Sequence, residues 1–216
     1  TPKPSSAASD VYKRQAKHFA FIDDDRKAKA RIAWDKGVDC ILKCQVRVNG
    51  KLTVWCAQHD EKDFSPKPAR AFEPVALSGQ ESLALMNILM HVEQPTPEII
   101  AAVDAAAAWL EAVKITGIRI EDRPQEGTPK GFDRFVVPDE NAPPLWARFY
   151  ELETNRPIFT GRDGVPKYSL AEIELERRTG YRWYGGWAKV RLEKEYPAWK
   201  AGLSGRAQMP ATTQGQ

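Results

Sequence analysis

Cysteine is scarce: Cys40, Cys44 and Cys56 are the only three in 216 residues. An odd number is no disulfide framework. A metal site on these thiols would need a fourth ligand, and only His18, His59 and His91 are available. No metal site is read here; three small buried hydrophobes fit better. Charge of one sign is also lacking. Lys plus Arg outnumber Asp plus Glu by only 32 to 29, and a net +3 is too mild to point to nucleic acid. No apolar run approaches the roughly 18 residues of a membrane helix, so no membrane partner is expected. What is present, 42 % apolar residues over this length, suffices for one domain with a sizeable core.

The segment 1–15 is polar, rich in Ser and Ala, and reads as a non-native-looking or disordered leader. Asp23–Asp25 then place acids at the start of a long helix, with Ala30, Trp34, Val38, Ile41, Leu42 and Gln45 as its inward stripe. Asn49-Gly50 marks a turn. Ser78 with Glu81 reads as a capping box opening a helix through Met90. Thr96-Pro97-Glu98 starts another, whose stripe includes Ala106 and Leu110. Trp34 and Trp109 fall on such stripes as core aromatics. Residues 117–141, broken by Gly and Pro, form an excursion with at most a small hairpin. Ser169 and Glu172 open a helix ending near Gly180, a last helix covers 187–196, and residues 204–216 are a frayed tail. The reading is all-α: helical hairpins packed in a ring, with long loops at one end around a cleft.

The chemistry lies in two loop segments, Thr53-Val-Trp-Cys-Ala-Gln-His-Asp60 and Pro66-Lys-Pro-Ala-Arg-Ala-Phe-Glu73. They put Trp55, His59, Lys67 and Arg70 on adjoining loops, with Pro68 and Pro74 stiffening the backbone about Arg70. An aromatic plate beside several cations suits a sugar that bears carboxylates. Leu145-Trp-Ala-Arg-Phe-Tyr150, Thr154-Asn-Arg156, Arg162-Asp-Gly164 and Glu176-Arg-Arg-Thr-Gly-Tyr-Arg-Trp-Tyr184 repeat that chemistry. These strings, in this order, resemble the family 10 polysaccharide lyases, which are pectate lyases. The likeness runs from about Phe19 to about Trp187.

The resemblance implies an incomplete (α/α) toroid, with residues 16–203 as the C-terminal part of a catalytic domain. It implies a secreted or periplasmic enzyme, taken as a monomer, that cleaves polygalacturonate by β-elimination. That reaction removes the C5 proton, alpha to a carboxylate, so cations must neutralise the acid and a positioned base must take the proton. By resemblance the base is Arg70, and Arg148 and Arg162 bind substrate carboxylates. Trp55 and His59 line the cleft, with His59 the second choice of base. An arginine base needs a depressed pKa, for which Lys67, Arg148 and Arg162 are the available neighbouring cations. Calcium is the implied cofactor, bound by Asp-Asn segments of the family's N-terminal part. No Asp-Asn dipeptide occurs in this sequence. The expectation is therefore a fragment, inactive alone, with half a cleft. Arg156, Arg177 and Arg178 read as surface or salt-bridge residues near Glu174 and Glu176. Tyr181, Trp183, Tyr184 and Trp187 read as packing. Two other functions compete: a toroidal glycoside hydrolase with acids among Asp60, Glu73, Glu81 and Asp163, and a non-catalytic acidic-glycan-binding module.

Overall fold

A computed structural model describes residues 21–70 and 72–207, with side chains to residue 204. The leader 1–15 and the end of the tail lie outside the described residues. Two compact units are distinguished, one ending at Cys40 and the other beginning at Ile41. The boundary falls inside α1 (Asp24–Cys44). Asp23 caps this helix by accepting from the N–H of Arg26 at 2.8 Å. Of the predicted stripe Val38 is buried, whereas Trp34 is 42 % exposed and is no core aromatic.

In the second unit, β1 (Arg47–Val48) and β2 (Lys51–Leu52) close around Asn49 and Gly50, both at positive φ, as the turn signal predicts. Helices α2 (Glu81–Met90) and α3 (Pro97–Ala112) pack against each other. Thr96 caps α3 by accepting from Ile99 N–H at 3.3 Å, ahead of Pro97 in the first turn. Trp109 is core, and its indole donates to Asn155 at 2.8 Å. Chain then runs through β4 (Ile118–Pro124) and β5 (Phe132–Pro138), a hairpin of seven paired residues per strand. This is longer than the sequence suggested.

Periodicity has nothing to report in the next stretch, because its strands have two residues each. They are β6 (Trp146–Ala147), β7 (Phe149–Tyr150), β8 (Phe159–Thr160) and β9 (Pro166–Lys167), with β10 (Tyr184–Gly185) beyond and β3 (Leu77–Ser78) before. β3 pairs with β7, β6 with β10 and β8 with β9, all antiparallel. A short 3-10 turn (Leu170–Glu172), capped by Ser169, precedes α4 (Leu175–Gly180). A π-helical segment (Arg191–Glu195) runs into α5 (Tyr196–Ala207). Tyr196 N–H reaches back to Arg191 O, the wider turn that accommodates Pro197 inside a continuing helix. Helix thus extends beyond Ser204, where a frayed tail was expected.

The all-α toroid expectation is overturned. The described residues hold five α-helices and ten short strands, a mixed architecture. Strands β3, β6, β7 and β10 escaped notice because a two-residue strand has no alternation to read, and their partners lie far along the chain. One core cluster, formed by Ala76, Phe149, Ile158, Phe159, Leu170, Ile173 and Trp183, anchors these pairings. A second lies under α3, where Trp146 donates to Leu110 O at 2.7 Å and Tyr150 to Val113 O at 3.1 Å.

Candidate active site

Arg70 stands in a turn closed by Ala69 N–H to Glu73 O at 3.1 Å and Glu73 N–H to Arg70 O at 2.9 Å. The turn brings the two side chains together as a fork. Arg70 Nε donates to Glu73 Oε2 at 3.0 Å and Nη2 donates to Oε1. Arg70 is 66 % exposed along its side chain, Glu73 only 6 %. Tyr181 adds a third donor, its hydroxyl lying 2.9 Å from Glu73 Oε1. Glu73 raises the guanidinium above its ordinary value. Arg70 foremost, with Tyr181, holds the Glu73 carboxyl below its ordinary value against the opposing effect of burial. The expected depression of Arg70 by neighbouring cations is therefore reversed. Those cations are matched: Lys67 with Asp60 at 3.5 Å, Arg148 with Glu81, and Arg162 with Glu176 at 2.8 Å.

Arg148 lies between β6 and β7, its N–H donating to Trp183 O at 2.8 Å and its carbonyl accepting from Gly79 N–H at 2.9 Å. Backbone pairing on both sides fixes where its side chain leaves. The guanidinium covers Tyr181 at 4.6 Å and pairs with Glu81, which also takes the Ser78 hydroxyl. The predicted capping box is thus diverted: Ser78 accepts from Glu81 N–H at 2.9 Å, but the Glu81 carboxylate serves Arg148. Arg162 lies over Phe72 at 4.6 Å and forks onto Glu176 at 3.0 and 2.8 Å. Glu176 raises its pKa.

Arg177 joins the two groups. It is 5 % exposed and covers Phe72 at 4.4 Å, Tyr181 at 4.9 Å and Trp183 at 5.3 Å. Its Nε donates to Thr160 O at 3.2 Å, while its buried Nη2 has no hydrogen-bond partner among the described residues. Burial first, and Arg162 second, push its pKa down. Arg148 thus covers Tyr181, Arg162 covers Phe72, buried Arg177 covers both rings, and Arg70 is tied to Tyr181 through Glu73.

Trp55 and His59 do not join that cluster. Trp55 is fully buried, and its indole donates to Ile41 O at 2.7 Å. A ring with no open face cannot stack on a sugar, so its assignment to the cleft is corrected to core. His59 uses both ring nitrogens within its own loop: Nδ1 lies 2.9 Å from Phe64 O, and Nε2 accepts from Cys56 N–H at 3.2 Å. It braces the loop closed by the bridge to Pro66 and has no free nitrogen for substrate. Cys40 is exposed rather than buried; Cys56 is buried, and desolvation pushes its thiol up to about 12.

A family model described as pectic acid lyase matches residues 7–191. The chain belongs to the pectic acid lyase family. The match begins inside the segment set apart as a leader. A search of curated proteins finds no match. Among solved structures, the chain is similar to a family 10 polysaccharide lyase from Cellvibrio cellulosa, with 38 % identity and a TM-score of 0.71 over 84 % of this chain and 53 % of that one. It is equally similar, at 38 % identity and a TM-score of 0.70 over 82 % and 53 %, to a mutant of that Cellvibrio cellulosa enzyme in complex with trigalacturonic acid. The chain spans about half the length of these relatives.

For this member of the pectic acid lyase family, sequence reasoning missed Phe72, Glu73, Tyr181 and Arg177 as parts of one cluster. Glu73 stands three residues after Arg70, a spacing at which a turn can join them. Nothing local signals that Tyr181 crosses to meet both. Arg178 is a salt-bridge residue as read, but its partner is Asp133, at 2.8 Å. No group of three His, Cys, Asp or Glu converges among the described residues, and Glu73 and Glu81 already carry guanidinium partners. This donor set does not fit calcium, which wants six to eight oxygens free of competing cations.

Proposed function

We propose that the full-length protein is a pectate lyase and that this chain supplies the face of the cleft that grips galacturonate carboxylates. The observation carrying the reading is one cluster: Arg148 rests on Tyr181, Arg162 on Phe72, and Arg70 is tied to Tyr181 through Glu73. Guanidinium forks suit carboxylates, and Phe72 and Tyr181 are the rings against which Arg162 and Arg148 are held. Arg148 and Arg162 bind substrate carboxylates and withdraw charge as the C5–H bond weakens. Neutral Arg70 takes the C5 proton and becomes guanidinium. The C4–O4 bond breaks, its electron pair leaves on O4, which takes a proton from water, and a C4–C5 double bond remains. Because Glu73 raises Arg70, turnover rises toward alkaline pH. Calcium belongs to the proposal as a cofactor of the full-length protein, with ligands outside the described residues. The proposed location is extracellular or periplasmic, and the proposed partner is an oligogalacturonate. No helix among the described residues is long and apolar enough to cross a membrane.

The test is Arg70→Ala in the full-length protein. Unsaturated uronate product is followed by ultraviolet absorbance on polygalacturonate, and oligogalacturonate binding by calorimetry. Turnover should fall by about 100-fold or more, with binding retained. Unchanged turnover removes Arg70 from the mechanism. A binding module without turnover is the second reading, favoured by the ion pair that keeps Arg70 a guanidinium. Binding with no product from the unmodified protein at any pH would establish it. Hydrolysis would give new reducing ends without absorbance. It is disfavoured because a hydrolase's acid needs a raised carboxyl, whereas Asp60, Glu73 and Asp163 are all lowered.

A further inference from the structure

We propose that Glu73, with Tyr181 as its second partner, is a positioning residue that holds the guanidinium of Arg70 in one orientation. This rests on the reading of Arg70 as a group that meets the substrate. The Glu73 side chain is 6 % exposed, and a carboxylate removed from water is stable only when its oxygens are bonded and its charge matched. Both requirements are met by two residues. Oε2 accepts from Arg70 Nε at 3.0 Å, and Oε1 accepts from Arg70 Nη2 and from the Tyr181 hydroxyl at 2.9 Å. The fork occupies one edge of the guanidinium. The side chain is two-thirds exposed, so the opposite edge is left to meet a ligand.

The tether is itself anchored. Its first half is the turn closed by Ala69 and Glu73 backbone bonds. Its second half is Tyr181, whose ring lies 4.8 Å from Trp183 and 6.2 Å from Phe149, both buried. Arg148 and Arg177 cover that ring at 4.6 and 4.9 Å. The charged groups around the pair are Arg148, Arg177 and Glu81. An exposed arginine on a surface turn otherwise samples many rotamers. Locking it before substrate arrives removes an ordering cost from each encounter.

A chemical-rescue experiment in the full-length protein separates positioning from mere structure. Arg70→Ala leaves Glu73 and Tyr181 as a vacant fork of guanidinium shape. Guanidinium chloride added at millimolar concentration should restore turnover on polygalacturonate by about tenfold or more, because a bidentate carboxylate recognises that planar cation. In the double variant Arg70→Ala/Glu73→Gln, rescue should fall below about twofold. Methylammonium, a point charge, should rescue Arg70→Ala much less well than guanidinium. That comparison decides the matter should the double variant not fold. Equal rescue with and without the Glu73 carboxylate, equal rescue by the two cations, or no rescue of an inactive Arg70→Ala overturns the tether. Full turnover in unrescued Arg70→Ala overturns instead the reading of Arg70 on which the tether rests.

Discussion

Gly79 is the position where one methyl group should do the most damage. A Cβ there would overlap the carbonyl oxygen of Ala147 and lie 3.1 Å from Tyr150 Cε2. Neither neighbour can yield, for Ala147 and Tyr150 are 0 % and 1 % exposed. The Gly79 N–H also donates to Arg148 O at 2.9 Å, so pushing the backbones apart strains a hydrogen bond that positions Arg148. Overpacking together with that bond puts the cost of Gly79→Ala at about 2–4 kcal/mol. For a chain of this length the midpoint of thermal unfolding should fall by about 5–15 °C. Gly202→Ala in α5 is the control: a Cβ there meets nothing within 4 Å, and the change should stabilise by about 0.5–1 kcal/mol through helix propensity alone. The pair is measured by calorimetry or by circular dichroism melts of the full-length protein, with trigalacturonate affinity as the second reading. A Gly79→Ala midpoint within 2 °C of the parent (about 0.5–1 kcal/mol) would refute the close-approach reasoning.

Other substitutions separate core from cleft. Trp55→Ala should cost about 3–5 kcal/mol of stability. Trp55→Phe should leave oligogalacturonate affinity within about twofold, since a fully buried ring offers no sugar contact; a tenfold loss by calorimetry would return Trp55 to the cleft. The Asp133–Arg178 fork, at 2.8 Å for both bonds, predicts an acid limb. Arg178 holds Asp133 below its ordinary value. Its stabilisation is thus present above the unfolded carboxyl value of about 3.9 and is lost as pH falls through the folded one. Asp133→Asn should lower stability by about 2–3 kcal/mol at pH 7 and flatten the acid limb in urea denaturation at graded pH. An equally steep limb in the variant would assign it to other carboxylates.

The helices were legible because their signals are local. Thr96 with Pro97 fixes the start of α3, and Asn49-Gly50 fixes the first hairpin. The motif strings placed the chain in its family for a similar reason: ordered residue types survive in sequence even where their contacts are invisible. Arg70, Arg148 and Arg162 were legible as an arginine set, but their partners were not. Glu81 looked like half of a capping box and instead holds Arg148. Arg177 looked like a surface residue and is buried against three aromatic rings.

The start of α3, the turn at Gly50 and family membership are thus properties of the amino-acid sequence itself, since each depends on residues within a few positions or on their order. The two-residue strand pairings, the burial of Trp55, the use of both His59 nitrogens and the sign of the shift at Arg70 belong to tertiary structure alone. Each depends on which distant groups share a small volume. Tyr181, 108 residues from Glu73, decides part of the electrostatics at Arg70, and no local pattern in the chain encodes that distance.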